Sequence, residues 1–344
     1  MDLNPSHTPS SSRTRLLVLG AVSAALTAAW VEWKARRAER DNPPRGRLLE
    51  VEEGVRLHCL ERGSGRPVVL IHGNAVTLED FEASGVFAAL SGTHRVLAFD
   101  RPGFGHSSRP RDRVWNPAAQ GAAIQGALDQ IGVERPVLVG HSMGTLVAMA
   151  MALDRPERIG GVVLLGGYHY PTARVDALLM TPVALPILGD VMRYTVTALT
   201  SRAMFGRVTE AMFAPNPVPA AFFDWVSSEM MVRPVQIRAN AEDAALMVPS
   251  AAQLADRYGD LKVPLALMAG ADDAVIDPHE HAERLHAEVP GSRLFLVPGS
   301  GHMVHHIAPQ TVVEAVRAVE SNAPAGNRPD SLSSAAPQAV AVGL

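Results

Sequence analysis

The sequence predicts an α/β protein built on a mostly parallel sheet, and three segments predict it. Residues 137–151 begin Val-Leu-Val-Gly-His, pass through Ser142 and continue as Met-Gly-Thr-Leu-Val-Ala-Met-Ala-Met. This is a β-branched apolar run, a glycine-flanked break and a run of helix formers. Residues 264–269 and 293–297 are short apolar runs that empty into Gly270-Ala271-Asp272-Asp273 and Gly299-Ser300-Gly301-His302. Apolar runs of this length bounded by glycine and separated by helical stretches are the signature of buried parallel strands, whose following loops gather along one sheet edge.

In chain order, residues 1–15 form a Ser/Thr/Pro-rich tail expected to be disordered, and residues 16–33 form an apolar stretch read as a membrane anchor helix. Residues 16–31 carry no charge, somewhat fewer than the roughly 20 residues of a full span, which is completed if Glu32 and Trp33 sit among the headgroups. The alternatives are a cleaved signal peptide, supported by Arg13 and Arg15 before a short apolar core, and a buried helix. Lys34, Arg36, Arg37 and Arg40 open a basic linker over 34–46, closed by Asn42-Pro43-Pro44. Those basic residues outnumber the two that precede the span, so the body is placed in the cytoplasm, or in the periplasm if the segment is a cleaved signal.

The catalytic body is expected over 47–320, with a first part at 47–170, a helical cap at 171–247 and a second part at 248–320. The tail 321–344 is read as disordered from its Ala/Pro/Ser/Asn composition. The cap holds seven of the thirteen methionines and four of the nine phenylalanines. That composition fits either an adaptable apolar pocket or ordinary helical core.

Ser142 stands at the apex of a strand-turn-helix with glycines two before and two after it, where a Cβ would crowd strand against helix. A serine needs a base and an acid to orient that base. The order Ser142, Asp273, His302 supplies both, each at the end of a strand. Four segments together resemble the α/β-hydrolase fold family, in its serine esterase, haloperoxidase and epoxide-hydrolase-like branch. They are Val68-Val-Leu-Ile-His72-Gly73-Asn74, Phe99-Asp100-Arg101-Pro102-Gly103-Phe104-Gly105-His106-Ser107, the 140–144 elbow, and Gly270-x-x-Asp273 with Gly301-His302. The resemblance implies a mostly parallel eight-stranded sheet with helices on both faces and a helical cap inserted after strand 6.

Within that family the elbow residue selects the chemistry. Relatives acting at sp3 carbon carry aspartate there, whereas Ser142 points to acyl transfer. The expected reaction is hydrolysis of a small or medium apolar carboxylic ester through an acyl-enzyme. His302 acts as base, Asp273 as its orienting acid, and the backbone N–H groups of Asn74 and Met143 as the oxyanion hole. Tyr168 and Tyr170, at the entry to the cap, are candidate pocket residues. The alternatives are a cofactor-free haloperoxidase or perhydrolase, a carbon-carbon bond hydrolase and a catalytically silent binding module. The carbon-carbon hydrolases' His-Gly-x-Gly-Pro loop differs from His72-Gly73-Asn74-Ala75-Val76. Asp272 and Asp277 flank the acid without matching the Gly-x-x-Asp count.

Composition excludes other classes. Net charge −4 offers no nucleic-acid footprint, and 47% hydrophobic content suffices for a core. No glycine loop precedes a Lys-Ser or Lys-Thr pair, so no nucleotide cofactor is expected. His305 and His306 lack a carboxylate or cysteine at a recognised ligand spacing, so no metal is expected either. The single Cys59, in an early strand, allows no intrachain disulfide. Only two lysines stand against many arginines, as in a high-GC bacterial gene. The partners expected are an ester substrate and membrane lipid, since residues 1–47 hold eight basic and four acidic residues, net +4, and leave −8 for the rest.

Overall fold

The computed structural model describes residues 11–322. Strands β1 (Arg47–Glu52), β2 (Val55–Arg62), β3 (Pro67–Ile71), β4 (Arg95–Phe99), β5 (Val137–His141), β6 (Gly161–Leu165), β7 (Leu265–Gly270) and β8 (Arg293–Val297) form one sheet. Their order is β1-β2-β4-β3-β5-β6-β7-β8. Only β2 runs antiparallel to its neighbours, and β4 through β8 pair in parallel.

The helices of the first half are α1 (Ser11–Asp41), α2 (Glu79–Ala83), α3 (Val86–Ser91), α4 (Pro117–Gln130) and α5 (Met143–Asp154). Between β6 and β7 the cap contributes α6 (Val175–Ala184), α7 (Leu188–Tyr194), α8 (Val196–Phe213), α9 (Phe222–Trp225) and α10 (Ser228–Met231), followed by the long α11 (Pro234–Ala255). After β7 come α12 (Arg284–Glu288), α13 (Val304–Ile307) and α14 (Pro309–Ser321).

Strand periodicity divides the core into two layers. Val69, Ile71, Leu97, Phe99 and Leu138 pack with α4 and α5 on one face. Val68, Leu70, Val96, Ala98 and Val139 pack with α3 and α14 on the other. Helix α5 is buried from Met143 to Ala152, matching its lack of any polar stripe. Helix α14 buries Val312, Val313, Val316 and Val319 while Glu314 and Arg317 face out. Asn116 caps α4 by accepting from the Ala119 N–H at 2.9 Å, with Pro117 in the first turn, where its missing donor costs nothing.

Two expected boundaries are corrected. The linker expected at 34–46 is helical as far as Asp41, because Val31, Ala35 and Ala38, spaced four and three apart, bury one stripe of α1 against the body. Glu39 pairs with Arg233 at 2.6 Å and Lys34 with Glu229 at 3.1 Å. Only residues 42–46 connect α1 to β1. The cap boundary expected at 247 falls inside α11, which continues unbroken to Ala255 and buries Met247, Ala251 and Leu254 in the main core. Of the tails expected to be disordered, residues 11–15 lie within α1, whereas 1–10 and those beyond Asn322 lie outside the described residues.

Candidate active site

Ser142 sits between β5 and α5 with φ 51° and ψ −119°, a conformation that non-glycine residues seldom adopt. Its flanking glycines are required by close approach. A Cβ on Gly140 would lie 2.5 Å from the Gly144 carbonyl oxygen, and one on Gly144 would lie 2.2 Å from that of Ile71. The turn is secured by the Ser142 N–H donating to the Leu165 carbonyl at 2.9 Å and by the Thr145 hydroxyl donating to the Ser142 carbonyl at 2.6 Å.

His302, in the loop after β8, lies between the two other expected residues. Its Nε2 is 3.0 Å from Ser142 Oγ and its Nδ1 is 2.9 Å from Asp273 Oδ2. The second carboxylate oxygen of Asp273 accepts the N–H groups of Val275 and Ile276 at 2.8 and 2.9 Å. These donors fix the carboxylate in place, and with Nδ1 on Asp273 the other ring nitrogen, Nε2, faces the serine. Asp277 instead accepts the His279 N–H at 2.8 Å, and Asp272 uses its own N–H on the Ser300 carbonyl. Behind the site, His141 Nε2 donates to the His302 carbonyl at 3.2 Å. Burial, with His305 and His302 adding to it, pushes the His141 pKa well below the usual histidine value and keeps this imidazole neutral.

The Asn74 segment follows β3 and passes against the serine: a Cβ on Gly73 would lie 3.0 Å from Ser142 Cβ. Its conformation is held by Arg101, whose guanidinium is fully buried. Arg101 Nε donates to the His72 carbonyl at 2.8 Å, and Nη2 donates to the Gly73 carbonyl at 3.0 Å and to Asn74 Oδ1 at 2.6 Å. Nη1 binds Gln120 and Asp243, the latter reaching in from α11. His72 Nε2 accepts the Arg101 N–H at 3.0 Å and Nδ1 donates to the Gly73 carbonyl at 2.7 Å. Burial and the nearby Arg101 charge lower the His72 pKa to about 4, so it serves as a neutral bracket. The side-chain oxygen of Asn74 is thereby committed to Arg101, and Met143 opens α5 directly after the serine.

Arg101, Asp243 and Asn240, whose side-chain oxygen accepts the Ala75 N–H at 2.9 Å, were not singled out as site residues by sequence reasoning. Arg101 lay within a quoted motif, but its buried acceptors come from three separate segments. Asp80 is another such residue. Its two oxygens accept His305 Nε2 at 2.9 Å and His306 Nε2 at 2.8 Å, across 225 and 226 residues. A carboxylate therefore does join these histidines, and the three ligand atoms lie within 4.8 Å of one another, close enough to converge on a metal ion. Each oxygen is already matched by one imidazole N–H, which satisfies the carboxylate as it stands. Burial disfavours its charge, yet the histidines outweigh that and hold the Asp80 pKa well below the usual carboxylate range.

Tyr168 and Tyr170, expected as pocket residues, belong to the main core cluster. Both are buried, Tyr168 donating its hydroxyl to the Thr172 carbonyl at 2.5 Å and Tyr170 to Glu288 at 2.7 Å. Met230 and Met231 of the cap cluster with Phe213 and Phe222 against Met303, the residue after His302. A cavity of about 330 Å³ between Asn42, Glu79, His106 and Trp225 lies beside this cluster, and no member of the Ser142, Asp273 and His302 set lines it.

The family model described as alpha/beta hydrolase fold matches residues 66–309. An uncharacterized protein of Mycobacterium tuberculosis is 28% identical over 312 residues, covering 84% of this chain and 85% of its own. The 2-hydroxy-6-oxo-6-phenylhexa-2,4-dienoate hydrolase of Burkholderia cepacia is 26% identical over 252 residues, covering 72% of this chain and 85% of its own. Among solved structures, a thermophilic esterase from Thermogutta terrifontis superposes with a TM-score of 0.63 at 24% identity, covering 76% of this chain and 92% of its own.

Proposed function

The chain belongs to the α/β-hydrolase fold family, and from that premise we propose that it is a serine hydrolase of small or medium apolar carboxylic esters, held at a membrane by α1. The observation that carries the reading is His302 Nε2 at 3.0 Å from Ser142 Oγ, with Nδ1 at 2.9 Å from Asp273. His302 takes the hydroxyl proton as Ser142 Oγ attacks the acyl carbon. The N–H groups of Met143 and Asn74 stabilise the resulting oxyanion. The imidazolium, stabilised by Asp273, then passes its proton to the departing alkoxide, leaving an acyl-serine. Water deprotonated by the same imidazole attacks the acyl carbon, and collapse of the second oxyanion releases the acid and restores Ser142.

The test is covalent labelling by a fluorophosphonate, which reports the activated serine independently of the ester used. The full chain should label, and Ser142→Ala should not. Labelling that persists in a folded Ser142→Ala variant removes Ser142 from the mechanism.

The membrane part of the reading rests on α1. Its span Arg13–Asp41 contains a window apolar and long enough to cross a bilayer, only 6% of which is buried in the protein. Trp30 and Trp33 stand where that window meets Lys34, Arg36 and Arg37, the arrangement of an aromatic belt beside a positive flank. In this reading the positive flank after the span supports a cytoplasmic catalytic body, and a cleaved signal would put it in the periplasm instead.

A further inference from the structure

We propose that the outer face of α6, α7 and the start of α8 lies in the membrane interface beside α1, so that the substrate is an ester dissolved in the bilayer and enters beneath the cap. This rests on the serine hydrolase and anchor readings given above.

The first argument is position. Val31 of α1 is buried in one cluster with Val183 of α6, Ala198 of α8, and Ile237 and Ala241 of α11, and Met192 and Tyr194 of α7 pack against it. Toward the N-terminus, residues 13–26 of α1 are exposed and Thr27 and Ala28 are half-buried. With no flexible linker between α1 and the cap, the point where α1 leaves the protein fixes the bilayer surface relative to α6–α8. A helix rises 1.5 Å per residue, so the membrane boundary near Trp30 and Trp33 lies within about one turn of Val31. Arg202 of α8 lies over the Trp30 ring at 5.3 Å, which ties the cap to that same level.

The second argument is the surface itself. Residues 177–189 carry no charged side chain. Within and just beyond this stretch Leu178, Leu179 and Ile187 are 73%, 72% and 79% exposed, and Val191, Val196 and Leu199 are exposed as well. Helices α6 and α7 turn on each other by 104°, giving a short apolar hairpin with Leu185, Pro186 and Ile187 at its tip. Such a patch is rare on a face that meets water, and its neighbour here is a helix long enough to enter a bilayer. Continuity with α1 commits the occupant to lipid.

The third argument links this face to the chemistry. The cap cluster of Phe213, Phe222, Met230 and Met231 contacts Met303, next to His302. Helix α8 runs from Ala198 in the Val31 cluster to Phe213 in this one, so the proposed route for the ester follows α8 toward Ser142.

The experiment uses the full chain in phosphatidylcholine vesicles, with a fluorophore attached at Leu179→Cys, at Ile187→Cys, or at Lys262→Cys, an exposed site at the opposite end of β7. Cys59 is buried and its thiol is pushed up to about 12 by burial, with Glu61 adding to it, so labelling is directed to the introduced cysteine. Emission at 179 and 187 should be quenched by doxyl-labelled acyl chains and protected from aqueous iodide, with the reverse at 262. Iodide quenching at 179 and 187 equal to that at 262 overturns the proposal. Protection from both quenchers also overturns it, because that result means the face is covered by a second copy of the chain. As a second measurement, the combined Leu178→Glu, Leu179→Glu and Ile187→Glu variant should hydrolyse a long-chain ester embedded in vesicles about tenfold more slowly, with turnover of a water-soluble ester unchanged. Equal loss on both esters overturns the delivery route. The quenching experiment needs no catalysis, so failure of the hydrolase reading leaves it decisive.

Discussion

The Arg101 guanidinium and the Asn74 carboxamide are joined by a 2.6 Å hydrogen bond that occupies the Asn74 side-chain oxygen. The same guanidinium reaches the carbonyls of His72 and Gly73 at 2.8 and 3.0 Å, so one buried cation sets the path of the whole loop. If the loop acts through its backbone, Asn74→Ala, which keeps the N–H, should reduce kcat far less than Arg101→Lys. Lysine cannot reproduce the planar fork, and misplacing one oxyanion donor costs on the order of 10²-fold. Steady-state kinetics on a soluble ester checks the ranking. A greater loss in Asn74→Ala would assign the donor role to the side chain.

Asp273→Asn should leave the fold intact while offering His302 Nδ1 a partner that no longer stabilises the imidazolium. The expected loss in kcat is on the order of 10⁴-fold. Asp277→Asn, whose carboxylate only closes a turn with the His279 N–H, should stay near the parent rate. Parallel kinetics and circular dichroism of the two variants test this.

Stability should fall on acidification from pH 7 to pH 5. Burial lowers His72 to about 4, His169 to about 3 and His281 to about 4, with the charges of Arg101, His281 and Arg174 as respective second causes. His141 and His305 are lowered for the same first reason, whereas His58, through Asp100, is raised. Between about pH 6.5 and 4 the unfolded chain binds protons at these lowered sites that the folded chain refuses, so folding is disfavoured as pH falls through that window. The cost is about 1–2 kcal/mol per fully buried histidine at pH 5. His169, whose ring nitrogens have no hydrogen-bond partner, isolates the effect. His169→Leu should narrow the gap between urea midpoints at pH 7 and pH 5, and an unchanged gap would remove this histidine from the account.

Truncation should be tolerated within the apolar part of α1 but not through its docked part. A chain beginning near Ala28 keeps Val31, Ala35 and Ala38 against the body and Glu39 beside Arg233, and should leave carbonate-washed membranes while retaining its melting temperature. A chain beginning at Arg45 loses three buried apolar side chains, and at about 25 cal/mol per Å² this removes a few kcal/mol. Differential scanning fluorimetry of the two chains checks the difference, and equal melting temperatures would mean that the docked stripe contributes nothing.

Strand-and-glycine punctuation, with the family's Gly-x-x-Asp pattern, singled out Ser142, Asp273 and His302, whose side chains the fold brings together. Each stands immediately after an apolar run, and parallel strands bring their following loops to one edge whatever the intervening chain does. Helices on both faces of the sheet were implied by the family resemblance, and alternate residues of β3 and β4 pack against the two helix layers. Asp80 with His305 and His306, and Arg101 with Asp243, were not legible as pairs. A buried ion pair leaves no periodic trace, and its partners here are separated by more than a hundred residues. For Tyr168 and Tyr170, closeness in sequence to the cap entry suggested a pocket, and the partners that bury them, Thr172 and Glu288 for their hydroxyls, appear only in the tertiary structure. The apolarity of α1 is a property of its composition. Whether it hangs from a linker or is clamped to the cap depends on the stripe Val31, Ala35, Ala38, and only the tertiary structure supplies the surface that buries it.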